Sequence, residues 1–291
     1  MIKTLAKKAD DFLIECGGFS IDLASRTHIM GVLNRTPDSF SDGGRYLEES
    51  AALTRIEEMV REGADIIDIG GESTRPGAPE VSPDEELDRV MPVIEKAARN
   101  LNIPISIDTR KAKVAEEALK AGAGIVNDVT GLRGDPEMAG VVREHNAALI
   151  VMHIKGTPRT MQEDPVYGDL IPEIIESLAG SIKIAEEAGI PRNKIIIDPG
   201  IGFGKTVEHN LEIIGRIDEF KALGRPILLG TSRKSFIGKV LNRGTDDRIW
   251  GSAATSAIAV LKGVNVIRVH DVKEQSDVVR IIDAVAGRRR W

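Results

Sequence analysis

Cysteine is nearly absent from this chain of 291 residues, since Cys16 is its only one. A single cysteine cannot form an internal disulfide, and it leaves no CxxC pair for a zinc or redox site. We therefore expect a protein that folds without covalent cross-links, as in a reducing cytoplasm.

Aromatic residues are also scarce, at 3%, whereas hydrophobic residues make up 42% of the chain. Val, Ile, Leu and Ala therefore have to fill the core. No run of about 18 apolar residues occurs, so no membrane-spanning helix is predicted. The first residues, MIKTLAKKADDFLIECGG, lack the apolar stretch of a signal peptide. An excess of positive charge is missing too: the net charge is −6, which argues against a nucleic-acid partner.

What the chain does have is a regular alternation of two patterns. Eight short runs rich in Ile and Val are typical of buried parallel strands. They lie at 28–33, 66–69, 103–107, 125–129, 148–152, 195–197, 226–229 and 266–269. Eight segments with helical spacing of apolar side chains, among them NLEIIGRIDEFKALG, follow these runs.

Eight strands alternating with eight helices predict a single α/β domain, a closed (β/α)₈ TIM barrel rather than an open sheet. No composition break divides the chain. We expect residues 27–291 to form the barrel and residues 1–26 to form an N-terminal segment that caps its bottom.

Unusual polar residues follow nearly every predicted strand. They are Asn34, Asp108, Asn127, His153, Asp198, Lys234, Arg268 and His270. Any one of the Asp or Asn residues is readily explained as a helix N-cap. Charged side chains are rarely buried unless they are paired, however, and a closed barrel brings the ends of all its strands together. The pattern therefore predicts one site at the C-terminal face.

Two segments have the composition of loops that close over an anion. TPDSFSDGG combines paired glycines with small hydroxyl residues, and STRPGAPEVSP holds an arginine in a stretch that its prolines keep out of a helix. Backbone N–H groups and a guanidinium in such loops can bind phosphate oxygens. The alternative is that both are ordinary surface connections.

The segment DPGIGFGKT resembles two nucleotide-binding motifs, and it fits neither. A P-loop requires glycine five residues before Gly204, where this chain has Pro199. The dinucleotide fingerprint requires GxGxxG after a first strand, whereas the spacing here is GxGxG after the sixth. No GxSxG elbow and no HExxH helix occurs either.

At these positions the sequence resembles the dihydropteroate synthase family, from about residue 14 to residue 285. The matching segments are IMGVLNRTPDSFSDGG, DIIDIGGESTRPGA, ISIDTRK, GIVNDVTG, MHIKGTPRTMQ, IIIDPGIGFGK, ILLGTSRKSFIG and IRVHDV. The resemblance implies a pterin-binding barrel, a homodimer, and the joining of 6-hydroxymethyl-7,8-dihydropterin pyrophosphate to p-aminobenzoate with release of pyrophosphate. It also implies Mg²⁺ as cofactor.

The resemblance assigns site residues by matching position. The pterin pocket would be lined by Asp108, Asn127, Asp198 and Lys234. Pyrophosphate would be bound by Asn34, Thr74, Arg75, Arg268 and His270, with Asn34 as the protein ligand of Mg²⁺. The p-aminobenzoate site would include Phe40, Pro76, Phe203 and Ser232. The catalytic group would be Asn34, Asp42, Arg75, Lys234, Arg268 and His270.

These residue types suit the implied reaction. A pterin edge presents an amino group beside a ring N–H, and this donor pair matches the two oxygens of a carboxylate such as Asp198. Negative charge grows on the departing pyrophosphate, and cations that are already in position stabilise it. The aromatic amine is a neutral nucleophile that requires no strong base, so we expect an SN1-like displacement.

One residue departs from the family pattern, because Arg35 stands where a small apolar residue is usual. It either points away from the barrel rim or adds positive charge beside the pyrophosphate. Two other functions fit part of the pattern: a methyltetrahydrofolate:corrinoid methyltransferase, which shares strand-end Asp and Asn residues, and a pterin-binding paralogue without turnover. Neither explains why both loops and the strand-end cations are retained.

Overall fold

A computed structural model describes residues 12–35, 44–74, 77–157, 159–163 and 165–288, with the side chains of 44–48 left aside. The strands are β1 (Leu13–Cys16), β2 (Phe19–Asp22), β3 (His28–Asn34), β4 (Ile66–Gly70), β5 (Ile105–Asp108), β6 (Ile125–Asp128), β7 (Ala148–Met152), β8 (Ile195–Asp198), β9 (Leu228–Leu229) and β10 (Val266–Val269). The helices are α1 (Gly44–Glu62), α2 (Pro83–Asn100), α3 (Ala112–Lys120), α4 (Met138–Glu144), α5 (Leu170–Glu187), α6 (Val207–Gly215), α7 (Ser235–Leu241), α8 (Ile249–Leu261) and α9 (Val272–Val285).

Eight of the strands form one parallel sheet in the order β8-β7-β6-β5-β4-β3-β10-β9. The two ends of this order meet where Ile197 forms a parallel bridge with Ile227, and the Ile197 N–H donates to the Pro226 carbonyl at 3.0 Å. The helices surround the sheet. The prediction of a (β/α)₈ barrel is confirmed.

The barrel strands are apolar because both of their faces are buried. Side chains alternate along a strand, so Ile67 and Ile69 pack outward against the helices while Ile66 points into the barrel with Met30. Branched aliphatic side chains suit this twice-buried environment. The interior is apolar in its lower half, and the same alternation brings polar side chains to its upper half.

A hairpin of β1 and β2 covers the lower end of the barrel. Its Ile14 and Leu23 belong to one buried cluster with Met30 and Ile66, which lie near the starts of their strands. The buried ammonium of Lys194 donates to the backbone carbonyls of Glu15, at 3.1 Å, and Asn146, and so joins the hairpin to the β-barrel.

Two helical features differ from the sequence-based expectations. The segment 210–224 was predicted as one helix, but α6 ends at Gly215 and a 3₁₀ helix, Ile217–Leu223, follows. Arg216 interrupts the helix with φ −118°, and glycine at the preceding position lowers the cost of such a break. Helix α7 was not predicted, because its seven residues are too short to display helical spacing. In the described part of the chain, no helix is long and apolar enough to cross a membrane.

Gly124 provides a test of how tightly the hairpin packs. A Cβ atom at this position would lie 2.5 Å from the backbone N of Gly17 and 2.6 Å from the carbonyl carbon of Cys16. We expect Gly124→Ala to lower the free energy of unfolding by about 1–3 kcal/mol, the usual cost of overpacking. Chemical denaturation measures this change.

The matched control is Gly140→Ala in α4, where an added Cβ meets nothing within 4 Å. This substitution should stabilise the protein by about 0.5–1 kcal/mol, since alanine favours a helix over glycine. Equal effects of the two substitutions would contradict the close contact at Gly124.

Candidate active site

The C-terminal end of the barrel gathers buried polar side chains. Asp108 on β5 aligns with Asn127 on β6, and across the other edge of β5 it aligns with Gly70, whose partner is Asn34 on β3. Because these residues share one level of the barrel, their side chains converge on its mouth. Asn127 is only 4% exposed, so the site lies inside the barrel and not on its outer surface.

Arg268 on β10 lies at the centre of this group. Its Nε donates to Asp68 Oδ2 at 2.6 Å, and its Nη2 donates to Asp108 Oδ2 at 2.6 Å. Burial raises the pKa of Asp108 to about 7, although Arg268 opposes this shift. The guanidinium thus holds two carboxylates that would otherwise repel each other inside the barrel.

Asp198 ends β8 and forms an electrostatic pair with Lys234. Burial raises the pKa of Asp198, and the Lys234 ammonium opposes this. Burial lowers the pKa of Lys234 to about 8, while Asp198 works in the opposite direction. Lys234 donates to the Ile201 carbonyl and lies 4.5 Å from the centre of the Phe203 ring. A carboxylate, an ammonium and an aromatic face therefore border the same space.

A buried lysine, Lys205, stabilises the loop from Pro199 to Thr206. Lys205 Nζ lies 2.8 Å from His153 Nδ1 and donates to the Phe203 carbonyl at 3.0 Å. Burial lowers the pKa of His153 to about 2, so its ring is neutral and Nδ1 can accept from Lys205. A Cβ on Gly200, whose φ is 72°, would lie 1.9 Å from the His153 carbonyl oxygen. This contact requires glycine.

His270 lies beside Ser232, on the side of the mouth opposite β5. Ser232 Oγ accepts from the His270 backbone N–H at 3.2 Å and lies 3.1 Å from its Nδ1. The hydroxyl can donate to Nδ1 or accept from it, and when it donates, the ring proton is on Nε2. Burial lowers the pKa of His270 to about 4, and the neighbouring Arg268 and Arg233 act in the same direction.

Most of the predicted site residues lie together. Lys234 interacts electrostatically with Asp198, Arg268 and Asp108, and His270 interacts with Lys234 and Arg268. The residues that surround this mouth are Asn34, Asp108, Asn127, Asp198, Phe203, Ser232, Lys234, Arg268 and His270. Thr74 is half-buried four residues beyond the end of β4. Four predicted residues, Phe40, Asp42, Arg75 and Pro76, lie outside the described residues.

Two polar residues of the site were not predicted. Asp68 interrupts the apolar strand β4, and a carboxylate inside a buried run is the signal that could have identified it. Lys205 gave a weaker signal, because a lysine after a glycine loop is usually exposed.

Comparisons with known proteins agree with this geometry. The family of pterin binding enzymes matches residues 30–270. Dihydropteroate synthase of Bacillus subtilis is 48% identical over 269 residues, which cover 92% of each chain. The chain belongs to the dihydropteroate synthase family.

Solved structures of dihydropteroate synthases superpose closely on the chain. The Clostridium difficile enzyme, crystallised in the presence of pteroic acid, gives a TM-score of 0.87 at 49% identity and covers 91% of this chain and 98% of its own. The Xanthomonas albilineans enzyme with 4-aminobenzoic acid gives 0.89 at 39% identity, with 94% and 98% covered. Dihydropteroate synthases are transferases, and this chain is one of that family.

The donors available for a metal are few. Membership of this family is consistent with a divalent-metal requirement in general. Within the described residues, no group of three or more His, Cys, Asp or Glu side chains is placed to hold an ion. Asn34, half-buried at the end of β3, offers an amide oxygen, a ligand type that a hard cation accepts when phosphate oxygens complete its shell.

The lowered pKa of Lys234 predicts how pterin binding depends on pH. The folded-state pKa of about 8 lies below the ordinary value of 10.5, so the ammonium loses its proton as the pH rises through about 8. The charged form can donate to ring acceptors of a pterin, and we expect the affinity to fall about tenfold between pH 7 and pH 9.5. Calorimetric titration at both pH values measures this.

The control is Lys234→Arg, whose guanidinium stays charged over this range. The affinity of this variant for the pterin should vary with pH only through the ionisation of the pterin itself. The exposed Lys239→Arg on α7 should behave as the wild type. A decline of the same size in Lys234→Arg would exclude Lys234 as the titrating group.

Proposed function

We propose that this chain catalyses the condensation of 6-hydroxymethyl-7,8-dihydropterin pyrophosphate with p-aminobenzoate to give 7,8-dihydropteroate and pyrophosphate. The observation that carries this proposal is a polar group at one barrel mouth, in which Asp198 and Asn127 are buried and Asp108 and Lys234 are half-buried. A flat heterocycle with several hydrogen-bond donors would satisfy these side chains. A ligand without them would leave buried polar groups unpaired.

The pterin would lie on the floor of the mouth. Asp198 has the right chemistry to accept from the amino group and adjacent ring N–H, while Lys234 donates to ring acceptors. Phe203 and Ser232 would border p-aminobenzoate, together with Phe40 and Pro76 of the two loops. Lys205, by donating to the Phe203 carbonyl, would keep that border in place.

The leaving group would face the cationic side of the mouth. His270 is neutral in the free protein, and with its proton on Nε2 it would donate to a phosphate oxygen. Arg268 has Nε and Nη2 occupied by carboxylates, which leaves Nη1 for the leaving group. Thr74 and Arg75 would add contacts from the second loop, with Asn34 from the end of β3, while Asp42 of the first loop would act at the p-aminobenzoate site.

Mg²⁺ is the cofactor we propose, with Asn34 as its protein ligand. When bound, it would neutralise charge on the pyrophosphate oxygens. The electron-rich dihydropterin ring carries the methylene carbon and would stabilise by conjugation the positive charge that forms there as pyrophosphate departs. The protein's own part is therefore to hold the ring and to bind the leaving group. This is an SN1-like displacement, and the neutral amine of p-aminobenzoate then attacks.

A coupled assay for pyrophosphate tests the function. Release should require the pterin pyrophosphate and Mg²⁺, and the dihydropteroate formed should match the pyrophosphate released when p-aminobenzoate is present. Transfer of a methyl group to a corrinoid protein, or tight pterin binding with no pyrophosphate released, would refute the proposal and favour one of the two alternative functions.

Asp198→Asn tests the pterin pocket. The substitution turns one acceptor into a donor that faces donors, so we expect affinity for 6-hydroxymethylpterin to fall by about tenfold to a hundredfold. Calorimetry measures this, with the exposed Asp84→Asn as control. Unchanged affinity in Asp198→Asn would remove this carboxylate from the pocket.

We also propose that the chain forms a homodimer through α8 and α9. Helix α8 is apolar on its exposed face as well as its buried one: it buries Ser252, Ser256, Ala259 and Val260, and it exposes Trp250, at 81%. On the adjacent α9, Ile281 and Val285 are 66% and 74% exposed. Ile258 and Leu261 are 43% and 55% exposed on α8, and exposed apolar side chains grouped on neighbouring helices are typical of an interface.

Light scattering tests the dimer. The wild type should have twice the mass of one 31.5 kDa chain, and Trp250→Asp combined with Ile281→Glu should reduce this to the mass of one chain. Val166→Glu removes an equally exposed apolar side chain from the β7–α5 loop and should leave the dimer intact. A dimer that persists in the double variant would place the interface elsewhere.

The division of the chain is part of the proposal. Residues 27–291 would form the catalytic barrel, and residues 1–26 would act as the cap at its lower end. The described part of this segment, from residue 12, is the hairpin that packs on the barrel interior.

A further inference from the structure

Asp68 is a buried carboxylate to which the proposed reaction gives no role. It lies in β4 between two core isoleucines and is fully buried. Its register partners are Val32 and Ser106, one layer deeper in the barrel than Asn127. Asp68 therefore lies below the residues that are proposed to contact the pterin, where it would not touch the reacting atoms.

A carboxylate at this position costs folding free energy. Asp68 Oδ1 has no hydrogen-bond partner among the described residues, and the hydroxyl of the neighbouring Ser106 has none either. A buried carboxylate with an unsatisfied oxygen destabilises the fold compared with an apolar side chain of similar size. Packing alone therefore does not explain an acidic residue here.

The other oxygen of Asp68 has two partners. Oδ2 accepts from Arg268 Nε at 2.6 Å and from Asn127 Nδ2 at 3.2 Å. A carboxylate beside a guanidinium can only accept, so the amide of Asn127 must turn its NH₂ group down toward Asp68. Its carbonyl oxygen, Oδ1, is then directed to the barrel mouth as a hydrogen-bond acceptor.

We propose that Asp68 is a specificity-determining residue, which acts by fixing the Asn127 amide so that the pocket presents an acceptor to the ligand. This inference rests on the proposed pterin site and adds a determinant to it. The pocket then presents two acceptors, the Asp198 carboxylate and the Asn127 amide oxygen. It selects heterocycles that carry hydrogen-bond donors, and it rejects analogues in which a donor has become an acceptor. Asp68 is a positioning residue, since it acts through Asn127.

The test compares the affinities of three ligands. They are 6-hydroxymethyl-7,8-dihydropterin, its 2-oxo analogue, in which a carbonyl replaces the amine, and oxidised 6-hydroxymethylpterin, which lacks the N8–H donor of the reduced ring. Calorimetry gives the ratio by which each analogue binds more weakly. Wild-type protein that binds no dihydropterin would refute the proposed function before any variant is made.

In Asp68→Leu the Asn127 amide is free to rotate, so discrimination against at least one analogue should fall about tenfold, the worth of one hydrogen bond. In Asp68→Asn an oxygen at the position of Oδ2 still accepts from both partners. This variant should keep its discrimination within about threefold, while turnover slows because Arg268 has lost a charged partner.

A double-mutant cycle assigns the effect to Asn127. In an Asn127→Ala background, Asp68→Leu should change the ratios no further. Unchanged ratios in Asp68→Leu would overturn the proposal, and so would an equal loss of discrimination in Asp68→Asn.

A second measurement applies if Asp68→Leu does not fold. In ¹⁵N-labelled wild-type protein, the side-chain NH₂ signal that disappears in Asn127→Ala should exchange slowly with solvent, because one hydrogen is bonded to a buried carboxylate. Fast exchange would mean that Asp68 does not hold the amide, and it would likewise overturn the proposal.

Discussion

The guanidinium of Arg268 is the interaction on which the barrel mouth depends. It lies between the carboxylates of Asp68 and Asp108, 2.6 Å from each. Without this cation, two negative charges would face each other in a buried space, at a cost of several kcal/mol. Because Asp68 also binds Asn127, one arginine indirectly orders a large part of the pocket floor.

A buried lysine plays the corresponding part on the other side of the mouth, where burial lowers the pKa of its amino group. Lys205 connects the neutral ring of His153 with the carbonyl of Phe203. Gln162 and Tyr167 donate to the carbonyls of Gly202 and Gly204 in the same loop, each at 2.8 Å. The loop is thus held by hydrogen bonds to its backbone, which allows its glycines to approach neighbouring chain closely without losing their conformation.

The fold could be predicted from the sequence because most of its strands and helices have a recognisable local pattern of apolar residues. Apolar runs such as 148–152 coincide with β7, and the count of eight such runs led directly to the barrel. Short elements are different. Helix α7 has only seven residues, so its residues carry little periodic signal. The hairpin strands β1 and β2 were not predicted either, because they mix exposed and more buried positions and so form no continuous apolar run.

For the site, the sequence by itself determined which chemical groups stand at or near the strand ends, because polar residues at so many strand ends of one closed barrel have to meet at a common mouth. Only the tertiary structure decided how those groups are paired. The contact between Arg268 and Asp68 spans 200 residues of sequence, and the orientation of the Asn127 amide follows from a neighbour 59 residues away. Such pairings depend on barrel register and side-chain geometry, which no local pattern of residues encodes.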